Sequence, residues 1–283
     1  MKYGWLKQIL IGNFGRRRLL VDLIAVPLLV YAAITALARF RSERMLFVPQ
    51  TPTYDVLDNM VTLRTSDGLA IRGVFLEQPG ADLTVLFSHG NAEDLGDVMP
   101  WLEFLREQGF SVFCYDYRGY GRSDGRPSEM GVNLDIRAAY DYLVTDVGKP
   151  PGSIIAYGFS VGGGPSVHLA STVPVGGLIL QSTFVSAYRV MTRIPLIPFD
   201  RFRNGAVLER VTCPVLVIHG MADRVIPFWH GEALYRQARS PKQKLWLEGV
   251  GHNDLPGPHA GVFAEALHTF ADTVRSCTQP VLK

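Results

Sequence analysis

SIIAYGFSVGGGPSVHLAS, the sequence of residues 153–171, places an apolar run, a glycine-rich turn and a helical pattern in direct succession. The run 154–157 has the composition of a buried strand, and 165–171 has the apolar spacing of a helix. Between them lies Gly158-Phe159-Ser160-Val161-Gly162, a G-x-S-x-G pentapeptide. In this strand–turn–helix context the pentapeptide forms a sharp turn that exposes the serine hydroxyl, and its glycines let the backbone pack closely. We therefore expect Ser160 to be a nucleophile at the carboxyl end of a strand.

Strand-like and helix-like segments alternate along most of the chain beyond residue 60. The strand-like segments are short apolar runs at 61–64, 69–76, 84–87, 110–115, 154–157, 178–180, 215–218 and 244–247. The helical patterns lie at 98–108, 133–144, 227–238 and 262–274. An opening hairpin followed by this alternation predicts an α/β domain whose mostly parallel sheet is covered by helices on both faces. The active site of such a sheet lies at the carboxyl ends of its strands.

The composition is that of one globular domain with an additional segment. The 283 residues are 47% hydrophobic and 19% charged, so a large core can be buried. The net charge is only +2, and no basic stripe alternates with aromatic residues, so we expect no nucleic acid partner. The three cysteines are widely spaced, and the glycine-rich stretch 115–125 does not match a dinucleotide fingerprint. We therefore expect no metal and no cofactor.

Two polar residues follow strand-like runs in the chain order that the G-x-S-x-G turn requires. Asp223 comes after the run 215–218, and His252 comes after the run 244–247. A serine is a poor nucleophile until a base removes its proton, and in the order serine, acid, histidine the histidine is that base. We expect Ser160, Asp223 and His252 to form a catalytic triad in which Asp223 orients His252 and stabilises its cation.

Other candidates fit the acid and base positions less well. His219 precedes a glycine at a strand end and is expected to pack in the core. Asp254 lies close to His252 in sequence but does not follow a strand of its own, and Asp200 lies in an irregular segment. Asp223 is therefore the preferred acid, with Asp254 and Asp200 as its alternatives.

Backbone N–H groups are expected to stabilise the negative charge that develops during acyl transfer. One of them belongs to Val161, the residue after the nucleophile. The other is expected in the loop after the third strand, Ser88-His89-Gly90-Asn91-Ala92, and we assign it to Asn91. Gly90 permits the backbone conformation of this loop, and His89 is expected to brace it.

An apolar run near the N-terminus has the length of a membrane span. Residues 19–37, LLVDLIAVPLLVYAAITAL, carry one charge, and a helix of this length extends about 28 Å, close to the roughly 30 Å hydrocarbon core of a bilayer. The cations that flank the run are Lys2, Lys7, Arg16, Arg17 and Arg18 before it and Arg39, Arg41 and Arg44 after it. The positive-inside rule then predicts a single-pass protein with a cytoplasmic N-terminus and a catalytic domain on the non-cytoplasmic side.

Two other interpretations of this run stay open. It is a cleaved signal sequence if Ala36-Leu37-Ala38 is a processing site, or an amphipathic helix that lies on the domain. We favour an anchor because the run is longer than a usual signal core and apolar on all sides. The predicted organisation is a basic tail at 1–18, the anchor at 19–38, a linker at 39–58 and the catalytic domain at 59–283.

The segment 183–212 interrupts the alternation of strands and helices. It contains Pro195, Pro198, several arginines and scattered apolar residues, and it is long for a connection. We expect it to form a short lid. A plain helical crossover with an irregular start is the alternative.

Five blocks of sequence in fixed order resemble one branch of the α/β-hydrolase superfamily. They are LFSHGNAEDLG (86–96), YDYRGYGRSDGRPSE (115–129), YGFSVGGGPSVHLAS (157–171), CPVLVIHGMADRVIPFWHG (213–231) and LWLEGVGHND (245–254). This branch includes the serine aminopeptidase-like hydrolases and the eukaryotic protein depalmitoylases with an α/β-hydrolase domain. The resemblance covers most of residues 60–275. It implies the α/β-hydrolase fold and, by position, a nucleophile at Ser160, an acid at Asp223 and a base at His252.

The resemblance and the predicted triad together imply a serine hydrolase that cleaves a carboxyl ester or thioester of an acyl substrate through an acyl-enzyme. The depalmitoylases carry an acylated N-terminal cysteine cluster, whereas the first cysteine here is Cys114, so the expected substrate is an acyl ester or thioester near a membrane. A peptidase with the same triad is one alternative, although the arginines of 183–212 disfavour it. A non-catalytic binding module is the other, and it would be expected to lack a triad residue.

Overall fold

The computed structural model describes residues 4–239, 241–255 and 257–278, and it describes the side chains of these ranges from Val21 onwards. The chain forms two compact units that divide between Met45 and Leu46. The first unit is helical, and the second contains all of the strands that the structure describes.

The described part of the first unit is helix α1, Gly4–Leu46, whose last residue already belongs to the second unit. Its part Val21–Leu46 contains an 18-residue stretch with a mean hydropathy of 2.2 and is, among the described residues, the one helix long and apolar enough to cross a membrane. Large apolar side chains such as Leu29 and Ile34 are exposed along it. The predicted cationic flank at Lys2–Arg18 lies outside the described side chains. A linker was expected from residue 39, but α1 continues to Leu46 because no glycine or proline interrupts it before Pro49.

The second unit is built on one eight-stranded sheet with the strand order β1-β2-β4-β3-β5-β6-β7-β8. The strands are β1 Met60–Arg64, β2 Ala70–Leu76, β3 Thr84–Ser88, β4 Ser111–Tyr115, β5 Ile154–Phe159, β6 Gly177–Gln181, β7 Val215–Gly220 and β8 Lys242–Leu247. The pairs β1–β2 and β2–β4 are antiparallel, and all other pairs are parallel. The predicted hairpin and mostly parallel sheet are therefore confirmed.

Helices cover both faces of the sheet. They are α2 Leu95–Glu107, α3 Glu129–Asp141, α4 Gly163–Thr172, α5 Asn204–Leu208, α6 Trp229–Gln237 and α7 Ala260–Thr278. Alternate residues of the central strand β5 enter two separate cores: Ile154 and Ala156 pack with α3, α4 and α6, whereas Ile155 and Tyr157 pack with α2 and α7. The strand is apolar throughout because both of its faces are buried.

The segment between β6 and β7, predicted as a lid or a crossover, is mostly irregular. It contains one short helical turn at Tyr188–Val190 and the five-residue helix α5. Pro195 and Pro198 lie between these two elements and prevent a longer helix, since proline lacks the N–H that a helix interior requires. Met191 and Ile194 are exposed in this segment.

Candidate active site

Ser160 lies at the sharp turn between β5 and α4, as the pentapeptide predicts. Its φ is 52°, in the left-handed region that residues with a side chain rarely adopt. A Cβ at Gly158 would lie 2.4 Å from the carbonyl oxygen of Gly162, and one at Gly162 would lie 2.0 Å from that of Ser88. Both glycines are therefore required by close backbone packing, which holds the strained serine in place.

Ser160, His252 and Asp223 form a continuous line of hydrogen bonds at the carboxyl edge of the sheet. The hydroxyl of Ser160 lies 3.0 Å from His252 Nε2, and His252 Nδ1 lies 2.7 Å from Asp223 Oδ2. The other carboxylate oxygen of Asp223 accepts hydrogen bonds of 2.8 Å from the N–H groups of Val225 and Ile226. The structure thus brings the three predicted residues together, with the orientation of the carboxylate fixed by the loop after β7.

The electrostatic environment keeps Asp223 ionised. Burial acts to raise the pKa of Asp223, but the hydrogen bond and charge of His252 and the N–H group of Ile226 outweigh it, so the pKa lies below its ordinary value. An ionised acid at this position favours the imidazole tautomer whose Nε2 accepts a proton from Ser160.

The alternative residues have other contacts. Asp254 accepts a hydrogen bond of 2.7 Å from the N–H of Gly251 and so shapes the loop before His252. Asp200 accepts from the N–H groups of Tyr188 and Arg201 in the crossover. His219 is fully buried, with its Nε2 donating to the carbonyl oxygen of Ile226 at 2.9 Å. It packs in the core, as its sequence position predicts.

The loop after β3 lies against the turn at Ser160 and is held by side chains. The N–H of Gly90 donates to Glu93 Oε2 at 2.7 Å, and the N–H of Ala92 donates to Asn91 Oδ1 at 3.1 Å. The N–H of Asn91 donates to no acceptor in the part of the chain that the structure describes. Of these three N–H groups, only that of Asn91 is without an acceptor in the described part of the chain, and its role toward an oxyanion stays a prediction.

His89 braces this loop from below. It is fully buried, its Nδ1 donates to the carbonyl oxygen of Gly90 at 2.8 Å, and its ring centroid lies 4.3 Å from that of Tyr117. The hydroxyl of Tyr117 donates to the carbonyl oxygen of His89 at 2.6 Å. Burial lowers the pKa of His89 to about 4, so the ring is neutral at physiological pH.

Two polar residues at the site were not singled out in the sequence. Thr183 is buried, and its hydroxyl donates to the carbonyl oxygen of Ser160 at 2.6 Å, which satisfies the backbone of the strained turn. Glu93 fixes the N–H of Gly90, and burial raises its pKa. Position is the signal that could have identified both residues, since Thr183 follows β6 and Glu93 follows the loop after β3, at the same edge of the sheet.

A cavity of about 110 Å³ lies beside His252. Its wall combines aromatic and apolar side chains with two carboxylates, two amides and one imidazole, and it consists of Phe87, Glu93, Asp97, Val98, Trp101, Phe159, Gln181, His252, Asn253 and Leu255. No residue of the predicted lid belongs to this wall. The volume is sufficient for a small group such as part of a leaving group.

The glycine-rich loop after β4 is held by a network of ion pairs and hydrogen bonds. Buried Arg118 pairs with Asp67 at 2.7 Å and with Asp135 at 2.9 Å. Asp116 accepts hydrogen bonds from the N–H of Leu95 at 2.9 Å and from the hydroxyl of Tyr54. Burial raises the pKa of Asp116 to about 7.

Comparisons with known proteins agree with this geometry. Residues 79–201 match the serine aminopeptidase S33 family model. The human alpha/beta hydrolase domain-containing protein 17B is 40% identical over 218 residues, which cover 76% of this chain and 75% of that protein. The Caenorhabditis elegans alpha/beta hydrolase domain-containing protein aho-3 is 42% identical over 200 residues, which cover 69% of this chain and 59% of the relative.

Solved structures share the fold at lower sequence identity. The Pyrococcus furiosus esterase Pf2001 has a TM-score of 0.67 at 19% identity and covers 79% of this chain and 98% of its own. DcsB, solved in complex with a substrate analogue, has a TM-score of 0.65 at 20% identity and covers 77% of this chain and 98% of its own. The resemblance predicted from the five sequence blocks is confirmed, and the chain belongs to the α/β-hydrolase superfamily, in the branch of the alpha/beta hydrolase domain-containing 17 proteins.

Proposed function

We propose that this hydrolase is a serine hydrolase that cleaves a carboxyl ester or thioester of an acyl substrate through an acyl-enzyme intermediate. The observation that carries the proposal is the hydrogen-bonded line from Ser160 to His252 at 3.0 Å and from His252 to Asp223 at 2.7 Å. These are the distances over which a base activates a hydroxyl nucleophile.

In the proposed reaction, His252 acts first as a base and then as an acid. Its Nε2 takes the proton of the Ser160 hydroxyl while Oγ attacks the carbonyl carbon of the substrate. Asp223 accepts the Nδ1–H hydrogen bond and stabilises the imidazolium cation. His252 then donates the proton to the leaving oxygen or sulfur, and the acyl group stays on Ser160. Water, activated by His252, hydrolyses this intermediate and restores the serine.

The tetrahedral intermediates carry a negative charge on the former carbonyl oxygen. In the proposal, the N–H groups of Asn91 and Val161 donate to this oxyanion. Val161 lies in the turn after β5 and Asn91 in the loop after β3. These two segments are in close contact, as shown by the position of Gly162, where an added Cβ would touch the backbone of both Ser88 and His89. Preorganised donors of this kind account for a factor of about 10²–10³ in kcat each.

An acyl substrate at a membrane is supported by the apolar helix that precedes the domain. Val21–Leu46 is long and apolar enough to cross a bilayer. We propose that it is an anchor with a cytoplasmic N-terminus, which would concentrate the enzyme near lipid-embedded acyl groups. Carbonate extraction and protease protection of intact vesicles test this arrangement. Release of the protein from membranes by carbonate would exclude a spanning helix. Digestion of the catalytic domain by a protease on the cytoplasmic side would show that the orientation is the opposite of the one proposed.

A peptidase that releases an N-terminal residue is the second candidate. The carboxylates of Glu93 and Asp97 line the cavity beside His252, where they could hold a substrate ammonium group. The family model that matches residues 79–201 is also described as a serine aminopeptidase. A panel of p-nitrophenyl esters, acyl thioesters and aminoacyl p-nitroanilides separates the two candidates by their values of kcat/KM.

A fluorophosphonate probe tests the nucleophile directly. We expect it to label the wild-type protein and the control Ser171→Ala, a serine of α4, but not Ser160→Ala. Labelling of Ser160→Ala equal to that of the wild type would refute the serine assignment. Ester and thioester hydrolysis should be lost in the same variant.

A further inference from the structure

The side chain of Asn91 joins the loop after β3 to the segment that follows the N-terminal helix. Its Nδ2 donates to the carbonyl oxygen of Leu46 at 2.7 Å, and its Oδ1 accepts from the N–H of Val48 at 2.9 Å. The same Oδ1 accepts from the hydroxyl of Tyr120 at 2.6 Å, and the N–H of Val48 also lies 3.0 Å from that hydroxyl. Because Nδ2 donates to a carbonyl oxygen and Oδ1 accepts from two donors, the orientation of the Asn91 amide is fixed.

A second tie lies at the far end of the same segment. The N–H of Thr53 donates to Asp94 Oδ2 at 2.7 Å, and the hydroxyl of Thr53 donates to Asp94 Oδ1. Asp94 is also the N-cap of α2, where it accepts from the N–H of Gly96 at 3.0 Å. Residues 46–54, here called the tether segment, are therefore bound at both ends of the stretch Asn91–Asp94, and Phe47 between the ties is buried.

The loop needs such support because its backbone is not in a relaxed conformation. Ala92 has a φ of 58°, in the left-handed region that residues with a side chain rarely adopt. Gly90 has no side chain that restricts its backbone, and the peptide between Gly90 and Asn91 is held on its carbonyl side by the hydrogen bond of 2.8 Å from His89 Nδ1. On its Asn91 side it is held through the hydrogen bonds of the Asn91 side chain. That peptide carries the N–H assigned to the oxyanion, and an oxyanion donor is effective only when it is held in position before the reaction.

We infer that the tether segment has a positioning role in the active site. Through the side chain of Asn91, it holds the Asn91 N–H in the orientation that binds the oxyanion. The inference rests on the proposed function and assigns a positioning role to residues outside the catalytic domain predicted from the sequence. It means that the anchor can be removed without loss of chemistry only if the cut leaves Leu46 and Val48 in place.

Asn91→Asp is the deciding variant, because it keeps the acceptor and replaces the donor to Leu46 with an oxygen. Measured on a soluble p-nitrophenyl ester, kcat should fall about 10- to 100-fold while KM stays within about 3-fold, less than for the loss of a whole oxyanion donor. The matched control is Asn204→Asp, whose Nδ2 likewise donates to a backbone carbonyl, that of Phe184, at 3.0 Å. The control should lower the melting temperature but leave kcat within about 2-fold.

A trifluoromethyl ketone forms a tetrahedral oxyanion adduct with a serine. Its inhibition constant reports on the oxyanion donors and is not expected to change when the protein is only less stable. Its inhibition constant should rise in Asn91→Asp by the same factor by which kcat falls. Val48→Pro, which removes the N–H that donates to Asn91, should lower kcat several-fold in the wild-type background. It should have no further effect in the Asn91→Ala background, because the two changes break the same connection.

The variant that lacks residues 1–40 keeps the whole tether segment, and its kcat on the soluble ester should equal that of the full chain. A folded Asn91→Asp protein with kcat and inhibition constant within 2-fold of wild type would overturn the inference while ester hydrolysis by the wild type stands. Additive effects of Val48→Pro and Asn91→Ala would overturn it as well. A wild-type protein that neither hydrolyses esters nor reacts with the fluorophosphonate probe would instead refute the proposed function.

Discussion

The turn at Ser160 and the loop after β3 both hold a residue other than glycine in the left-handed region, but they do so by different means. Ser160 has a φ of 52° and Ala92 a φ of 58°. The turn is held mainly by close backbone packing, since Gly158 lies against Gly162, Gly162 lies against Ser88, and neither glycine leaves room for a side chain. The loop is held by side chains that come from elsewhere in the sequence, among them Tyr117 and Tyr120.

This difference shows which part of the site tolerates change. Strain of about 1–3 kcal/mol at a single residue persists only where the surroundings compensate for it. At the turn the compensation is steric and local, so that a small change in shape affects stability. At the loop it consists of individual hydrogen bonds, so that loss of one bond is expected to affect the chemistry more than the fold.

The largest effect on kcat is expected for His252, whose Nε2 lies 3.0 Å from the hydroxyl of Ser160 in the turn. His252→Ala should lower kcat by about 10⁴–10⁶ with little change in the free energy of unfolding, because the side chain acts as the base and is not part of the core. Steady-state kinetics and urea unfolding measure the two quantities. The control is His259→Ala, and a kcat for His252→Ala within 10-fold of wild type would exclude this residue as the base.

The acid should show the next largest effect. Asp223→Asn should lower kcat by about 10³–10⁴, because the amide favours the wrong tautomer of His252. Asp254→Asn is the matched control and should stay close to wild type, since Asp254 hydrogen-bonds to the N–H of Gly251. An inactive Asp254→Asn protein combined with an active Asp223→Asn protein would reassign the acid.

The steric support of the turn is tested by Gly162→Ala. The new Cβ would lie 2.0 Å from the carbonyl oxygen of Ser88, so the backbone must shift, and we expect a loss of about 2–3 kcal/mol in the free energy of unfolding. Gly80→Ala, at a φ of 81° with no atom within 4 Å of the new Cβ, isolates conformational strain and should cost about 1 kcal/mol. Equal losses in urea unfolding would contradict a steric role of Gly162.

The hydrogen-bonded support of the loop is tested by Tyr117→Phe. The variant loses the donor to the carbonyl oxygen of His89, which should cost about 1 kcal/mol of stability and lower kcat by up to about 10-fold. Tyr140→Phe removes a similar bond of 2.8 Å to the carbonyl oxygen of Pro174, away from the loop. We expect the same loss of stability there with kcat unchanged. A kcat that falls equally in both variants would show that the loop has no special dependence on Tyr117.

A pH dependence of stability is expected beneath the loop. Burial raises the pKa of Asp116 from 3.8 to about 7, so the folded protein binds this proton more tightly than the unfolded chain does. The resulting stability is fully present below about pH 4 and is lost as the pH rises towards 7. Relative to Asp116→Asn, the wild type should therefore become less stable over this range. Thermal unfolding from pH 4 to 8 measures the difference, and a constant difference would contradict the raised pKa.

Much of the fold could be predicted because its strands and its central turn have patterns that are visible in short stretches of sequence. The strands β3, β4, β5 and β7 are apolar throughout, which is the pattern of strands buried on both faces, and the G-x-S-x-G turn identifies the edge of the sheet where polar groups meet. Asp223 and His252 follow strands that end at this edge, so their position relative to Ser160 was open to prediction from order alone.

Other features depend on contacts between residues far apart in sequence. The end of α1 at Leu46 departs from the predicted linker, since helix termination there is set by Pro49 and by hydrogen bonds of the tether segment to Asn91 rather than by the composition of residues 39–46. The sequence positions of Thr183 and Glu93 place both residues at the carboxyl edge of the sheet, but their hydrogen bonds to Ser160 and Gly90 depend on the folded chain.

The G-x-S-x-G turn, the order of the polar residues and the apolar helix could be predicted from the sequence alone, because each depends on neighbours along the chain. Which N–H of the loop after β3 lacks an acceptor, and what holds that N–H, follow only from contacts in the folded chain. Two of the bonds to Asn91 come from Leu46 and Val48, more than forty positions away, and a hydrogen bond between such residues depends on the packing of the whole sheet. Side-chain spacing in one strand or helix carries no information about such pairs.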